Sequence, residues 1–404
     1  MTPVSAPAAP ATEAPARTVS LSVDGRTVAV PEGSTIWEAA RRLGIEVPVL
    51  CHDPRLAPVG VCRMCVVDVK GQRINPASCV RACEEGMEVR TASPDLERRR
   101  KVLVELLLAD HPSPCGKERT TGDCDLEALG REYGVMEGRR WHRGAAKGPK
   151  DASSPVIAVD HDSCILCDKC IRGCDDLQSN EVIGRNGKGF LARIGFDDDR
   201  PMGGSTCVSC GECAAVCPTG ALTHKSVTVR QAPAKSLTAV KSVCPYCGVG
   251  CAITYLTDGK TVVRAEGRES PVNHGRLCVK GRYGFDYSLH PQRLTKPLIR
   301  KTYPKGALSA EVMARTEGGG ERVRRHGRVP YEEILPHFRE ATWEEALDLV
   351  ASRLKAIREE SGPAALAGFG SAKCSNEEAY LFQKLVRTAF GTNNVDHCTR
   401  LCHA

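Results

Sequence analysis

At 404 residues the chain has room for about two to four domains. It contains no run of 18 apolar residues, which excludes a membrane-spanning helix, and residues 1–17 are Ala/Pro-rich without the apolar core of a secretory signal, so they read as a disordered tail. A formal charge of +7 is offset if many of the 22 cysteines bind metal as thiolates, which argues against a nucleic acid partner and for the cytoplasm, where thiols stay reduced.

The first elements follow at once. Residues 18–30 alternate around Asp24-Gly25, a strong hairpin signal. Thr35 and Glu38 have capping-box spacing and open a helix that Gly44 stops. Cys51, Cys62, Cys65 and Cys79 then form C-x10-C-x2-C-x13-C. Hairpin, helix and cysteine-bearing loop, in that order, are those of a β-grasp ferredoxin, here residues 18–96. The spacing suits a 2Fe-2S cluster on the four thiolates, with a four-cysteine zinc site as the alternative. The long gap before Cys79 leaves room for a returning strand, and Cys83 reads as a core cysteine.

Residues 98–109 are expected to be helical and lead into His111, Cys115 and Cys124, within a region spanning 97–137. Residues 138–157 read as a basic linker. Over 158–226 two runs repeat C-x2-C-x2-C-x3-C: Cys164, Cys167, Cys170 and Cys174, then Cys207, Cys210, Cys213 and Cys217. Short steps let backbone N–H groups curl toward the sulfurs. In two-cluster ferredoxins the fourth cysteine of each run serves the other cluster. Cys164, Cys167, Cys170 and Cys217 are therefore assigned to one 4Fe-4S cluster, and Cys207, Cys210, Cys213 and Cys174 to a second. Zinc ribbons, the alternative, use pairs rather than triple runs.

Cys244, Cys247, Cys251 and Cys278 form a fourth set in a small β-rich unit, residues 241–300. Residues 301–340 are charged and read as a solvated insertion. Thr342 and Glu345 open a capped helix with Leu347, Val350, Leu354 and Ile357 on one face. Residues 364–369 form a short apolar strand, and Ser375 and Glu378 cap a further helix that runs to Gly391. Alternation of this kind starts an α/β domain. About 65 residues cannot bury an adequate core for it, so the chain is expected to end in mid-domain. The fold class is α+β multidomain: a β-grasp 2Fe-2S domain, a ferredoxin-like 2×4Fe-4S domain, a small 4Fe-4S entrance domain, and the start of a truncated α/β domain over 301–404.

Specific resemblances rest on three stretches. Val243-Cys-Pro-Tyr-Cys-Gly-Val-Gly-Cys251 with Leu277-Cys-Val-Lys-Gly-Arg-Tyr-Gly284 resembles the cluster-binding entrance of the molybdopterin oxidoreductase superfamily, and the likeness continues through residues 293–299 and 342–346. It implies a 4Fe-4S cluster on Cys244, Cys247, Cys251 and Cys278, with Lys280 on the electron path between cluster and pterin. Residues 391–404 are similar to formate dehydrogenases, which place a cysteine or selenocysteine and then a histidine at Cys402 and His403. The likeness implies that Cys402 ligates molybdenum or tungsten and His403 sits over the substrate. His111, Cys115 and Cys124 resemble the histidine-plus-three-cysteine site H-x3-C-x2-C-x5-C of complex I large subunits and iron hydrogenases. Here Glu118 holds the middle position, so a fourth 4Fe-4S cluster would lack one of its three thiolates, and the alternative is a site kept only as a structural turn.

Over residues 18–404 the combination looks like the alpha subunit of cytosolic NAD-dependent formate dehydrogenases. It implies one 2Fe-2S cluster, three 4Fe-4S clusters with a fourth candidate site at His111, Cys115 and Cys124, and a molybdenum or tungsten bis-pterin guanine dinucleotide in the full-length protein. Formate would be oxidised to CO2 and electrons passed to a flavin/NAD-binding, diaphorase-type subunit, because the chain has no dinucleotide fingerprint. The alternatives are a complex I-type conduit without molybdopterin, or another molybdenum oxidoreductase such as nitrate reductase.

Overall fold

The computed structural model describes residues 17–137, 148–230, 232–301, 335–371 and 374–398. Cys402, His403, the insertion around 303–335, nearly all of the amino-terminal tail and half of the 138–157 linker lie outside them. The chain divides into two units, one of residues 1–242 with 252–283 and one of 243–251 with 284–404.

In the first unit, β1 (Thr18–Val23) and β2 (Arg26–Pro31) pair antiparallel across a two-residue turn. Asp24 and Gly25 both have positive φ, 49° and 77°, as the turn that matches strand twist requires. Asp24 also accepts a hydrogen bond from the Thr91 backbone at 2.7 Å, pinning the turn. Helix α1 (Ile36–Arg42) carries a complete Thr35–Glu38 capping box and buries Ile36, Ala39 and Ala40. It closes with Gly44 N–H on the Arg41 carbonyl and Ile45 N–H on that of Ala40, a Schellman ending.

Strands β3 (Asp68–Val69) and β4 (Glu88–Arg90) complete a sheet of order β2-β1-β4-β3. β4 runs parallel to β1, so the returning strand comes after Cys79 rather than before it. Only the two-residue β3 occupies the gap between Cys65 and Cys79. Helix α2 (Pro94–Ala109) starts four residues earlier than its apolar pattern suggests. Ser93 caps Leu96 N–H and Pro94 sits in the first turn, where a missing N–H costs nothing.

Two short helices, α3 (Gly116–Thr120) and α4 (Asp125–Glu132), follow. A single core joins Leu50, Cys51, Cys62 and Met64 to Val104, Leu108, Cys115, Cys124, Leu126 and Cys167. Packing therefore ties three cysteine sets together before any metal is considered.

Between β5 (Ile157–Val159) and its antiparallel partner β8 (Leu222–His224) lie α5 (Lys169–Asp175), the hairpin β6 (Ile183–Asn186) and β7 (Arg193–Phe196), and α6 (Glu212–Val216). After α7 (Lys225–Arg230), a three-stranded sheet forms from β9 (Thr238–Val243), β10 (Ala252–Thr257) and β11 (Val262–Gly267), in the order β11-β10-β9. Helix α8 (Val279–Tyr283) ends the first unit.

In the second unit, β12 (Leu298–Arg300) pairs with β13 (Phe338–Glu340). Helix α9 (Trp343–Ser361) is capped by Thr342, but Leu347, Val350 and Ile357 on its apolar face are exposed among the described residues. The apolar strand contracts to β14 (Gly368–Gly370), because residues 363–365 form a 3-10 turn. Helix α10 (Asn376–Leu385) has the Ser375–Glu378 capping box, and a π turn carries the chain to Gly391. β15 (Val395–His397) then pairs parallel with β14, a helix between them. No helix among the described residues is long and apolar enough to cross a membrane.

Candidate metal centres

The first set is buried throughout: Cys51, Cys62, Cys65 and Cys79. Cys62 N–H points at the Cys51 sulfur at 3.5 Å, and the Cys65 and Cys79 sulfurs stand 3.3 Å apart. Hydrogen bonding from Cys62 and then Cys79 pulls the Cys51 thiol down to about 2, while the same bond with Cys51, and then burial, pushes Cys62 up. The four thiols share protons among themselves, Cys51 and Cys65 pulled down and Cys62 and Cys79 pushed up, so all four ionise together only around a cation. Cys83 packs in the adjoining apolar core, and burial raises its thiol to about 11.

The paired runs fold alike. Leu166 and Ser209 take φ of 53° and 58°, and Asp168 and Gly211 take 59° and 78°, at matching places in the two loops. These left-handed residues turn Leu166 N–H toward Cys164 Sγ and Ser209 N–H toward Cys207 Sγ, each at 3.4 Å. One cavity is lined by Cys164, Cys167, Cys170 and Cys217 together, the crosswise grouping that a two-cluster ferredoxin needs. Burial raises the thiols of Cys170 and Cys213 well above their usual range. Thiolates there require positive charge at their centre, which iron supplies.

Arginines join these sets. Arg172, on α5, is buried and donates to the carbonyls of Cys51 at 2.6 Å and Cys167 at 3.4 Å, and also to that of Ala57. Glu212, fully buried between Cys210 and Cys213, bonds Arg55 at 2.8 Å and Arg282 at 2.6 Å. Arg282 Nε also donates to the Cys210 carbonyl at 2.9 Å. Gly211 admits this approach, since a Cβ there would collide with the Tyr283 hydroxyl. Arg55, Glu212 and Arg282 lie far apart in sequence and meet only through the fold.

Of the fourth set, Cys278 lies in the first unit and Cys244, Cys247 and Cys251 in the second. Within the second unit, Cys244 N–H bonds the Cys251 carbonyl at 2.9 Å. Lys280 is exposed on α8.

His111, Cys115 and Cys124 do converge, and a residue not singled out in the sequence joins them: Glu127. The four are buried, with one ligand atom from each lying within 4.8 Å of the others. Glu118 does not enter. Its carboxylate accepts from Cys124 N–H at 3.2 Å and pairs with Arg131 at 2.7 Å. Burial opposes ionisation of Glu127, but the His111 and Cys115 hydrogen bonds outweigh it and hold the carboxyl at about 2.

The buried thiol sets, the twin loops and the order of the cysteine groups define an oxidoreductase chain built to hold iron–sulfur clusters. Four family models match in that order: a 2Fe-2S iron–sulfur cluster binding domain at residues 16–94, a 4Fe-4S dicluster domain at 163–222, the molybdopterin oxidoreductase Fe4S4 domain at 237–290, and molybdopterin oxidoreductase at 293–404. The chain belongs to the molybdopterin oxidoreductase superfamily, with iron–sulfur domains ahead of the molybdopterin domain.

Among its relatives, NADPH-Fe(3+) oxidoreductase subunit alpha of Geobacter sulfurreducens is 34% identical over 95% of this chain and 40% of its own length. An NADH-quinone oxidoreductase subunit of Rhizobium meliloti is 33% identical over 95% of this chain and 40% of its own. A Staphylococcus aureus protein that carries formate dehydrogenase as a provisional name is 29% identical over 95% and 39%. The chain thus spans about two fifths of the length of the curated relatives it matches.

Proposed function

We propose that the whole protein is a cytoplasmic formate dehydrogenase that oxidises formate to CO2 and passes the electrons to a flavin- and NAD-binding partner subunit. The observation that carries this reading is Cys402-His403, in register with the formate dehydrogenase pattern over 391–404 and preceded by four cysteine sets. The Staphylococcus aureus relative supports it. Cys51, Cys62, Cys65 and Cys79 would hold a 2Fe-2S cluster, while the crosswise sets in 158–226 and the set Cys244, Cys247, Cys251 and Cys278 would hold three 4Fe-4S clusters. Bound there, the clusters supply one-electron transfer, and molybdenum or tungsten on Cys402 supplies two-electron oxidation of the substrate.

This chain's own part is to hold thiolates in place and to fix the distances between sites. Arg172 does so between the Cys51 and Cys167 loops, and Glu212 between the Cys210 loop and α8. His403 would orient formate, and exposed Lys280 would favour electron passage by its positive charge.

Adding formate anaerobically to the whole protein is expected to bleach the visible iron–sulfur absorbance, with pterin recoverable from the same sample. Bleaching by nicotinamide cofactor through a partner subunit, with no pterin and no response to formate, would favour a complex I-type conduit. The relatives named for NADH-quinone and NADPH-Fe(3+) activities lend that second reading its support. Lys280→Ala is expected to slow formate-driven bleaching while leaving iron content and circular dichroism unchanged. Unaltered bleaching and turnover would make Lys280 ordinary surface.

A further inference from the structure

We propose that His111, Cys115, Cys124 and Glu127 bind one zinc ion, and not a fourth iron–sulfur cluster. The donor set is two thiols, an imidazole and a carboxylate, all buried, which is a composition zinc takes in four-coordinate sites. Tetrahedral bonds of roughly 2.0 to 2.3 Å put neighbouring donor atoms about 3.3 to 3.8 Å apart. His111 Nε2 stands 3.5 Å from Glu127 Oε1 and 3.7 Å from Cys124 Sγ. A cubane's terminal ligands sit on four separate irons, with the cluster's sulfides between them, and so must stand further apart. No three donors of the cysteine sets of 158–226, among the described residues, form a group within 4.8 Å of one another. Among the described residues, the group around His111 is the one whose three or more donor atoms all lie within 4.8 Å of one another.

The fold builds this site deliberately. Cys124 is the N-cap of α4 and Glu127 its third helical residue, a position that points back toward the cap. Ser113 Oγ donates to Glu127 Oε2 at 3.0 Å and Cys115 N–H donates to Oε1 at 2.7 Å, which aims the carboxylate while leaving it lone pairs for a cation. Glu118 N–H donates to the Cys115 sulfur at 3.4 Å, and its carboxylate braces Cys124 N–H from outside. Glu118 is thus a brace of the site and Glu127 is its fourth ligand. Among the described residues no Lys or Arg pairs with Glu127, and His111, 3.5 Å away, is neutral when it ligates, so a divalent ion would compensate the buried negative charge of the set. Located in the core shared with Cys51, Cys62 and Cys167, the ion would act as a structural staple beside the electron-carrying sites.

Metal analysis of the whole protein, purified anaerobically, tests this independently of any formate activity. The expected result is about 14 irons and one zinc per chain, from one 2Fe-2S and three 4Fe-4S clusters. Zinc-edge X-ray absorption should show two sulfurs at about 2.3 Å and two nitrogen or oxygen neighbours at about 2.0 Å. Glu127→Ala should lose the zinc with iron unchanged, and Glu118→Ala should keep it. About 18 irons without zinc, falling by about four in a Cys115→Ser/Cys124→Ser variant, overturns the proposal. So does zinc lost from Glu118→Ala but kept in Glu127→Ala, or an iron count near 14 with no zinc. Absorption on the unaltered protein decides the matter if the variants fail to fold.

Discussion

Cys402→Ala in the whole protein is expected to abolish formate oxidation while leaving the iron content intact. The substitution removes the thiolate proposed to ligate molybdenum or tungsten and touches none of the cysteines in the four cluster sets. Disturbing groups that merely orient a metal's ligands costs roughly 10–100-fold in affinity or activity, so loss of the ligand itself should exceed that range. Turnover with formate and the iron count, measured on one preparation, check both halves of the expectation. A variant that keeps substantial turnover would remove Cys402 from the metal, and with it the main support for formate as substrate. A variant that loses iron as well would show that the segment serves folding rather than chemistry.

Local signals in the sequence were readable because each is settled by neighbours a few residues apart. The Asp24-Gly25 turn and the boxes at Thr35–Glu38 and Ser375–Glu378 appear where their spacing puts them. Repeated cysteine spacing likewise pointed to crosswise grouping, and the structure brings Cys217 to Cys164, Cys167 and Cys170. What was illegible depended on long-range packing. The strand parallel to β1 is only three residues long and lies past Cys79, too short for any periodicity to mark. Helix α2 opens at Ser93-Pro94, ahead of the apolar pattern, which begins only at residue 98 and so places the start too late. Glu127 is three residues past Cys124, which reads as an ordinary acidic first turn until α2 and α4 pack and bring His111 to it. Arg55 and Glu212 are 157 residues apart, and nothing short of the fold discloses that they meet.

Glu212→Ala is the second large effect expected, and it acts on assembly rather than on chemistry. Three cysteine motifs each contribute one member to this network: Arg55 from the loop after Cys51, Glu212 from the loop at Cys210, and Arg282 from the helix after Cys278. Glu212 is fully buried and the Arg282 side chain is 3% exposed, whereas Arg55 is 28% exposed and keeps Asp53 as a second partner. Removing the carboxylate therefore strands Arg282 above all. Breaking a buried pair on one side costs about 3–5 kcal/mol, which corresponds to a fall in apparent Tm on the order of 10 °C for a unit of this size. Unfolding that releases iron is irreversible, so the comparison is made at one scan rate under anaerobic conditions, read by loss of visible absorbance. Glu212→Leu/Arg282→Met should recover part of the loss, because no unpaired charge is then left in the interior. If the single variant shifts the transition hardly at all, the network is incidental to how the modules are held. If the double variant is worse than the single by the full cost of a second truncation, the bond from Arg282 to the Cys210 carbonyl, and not the ion pair, is what fastens α8 to the cluster loop.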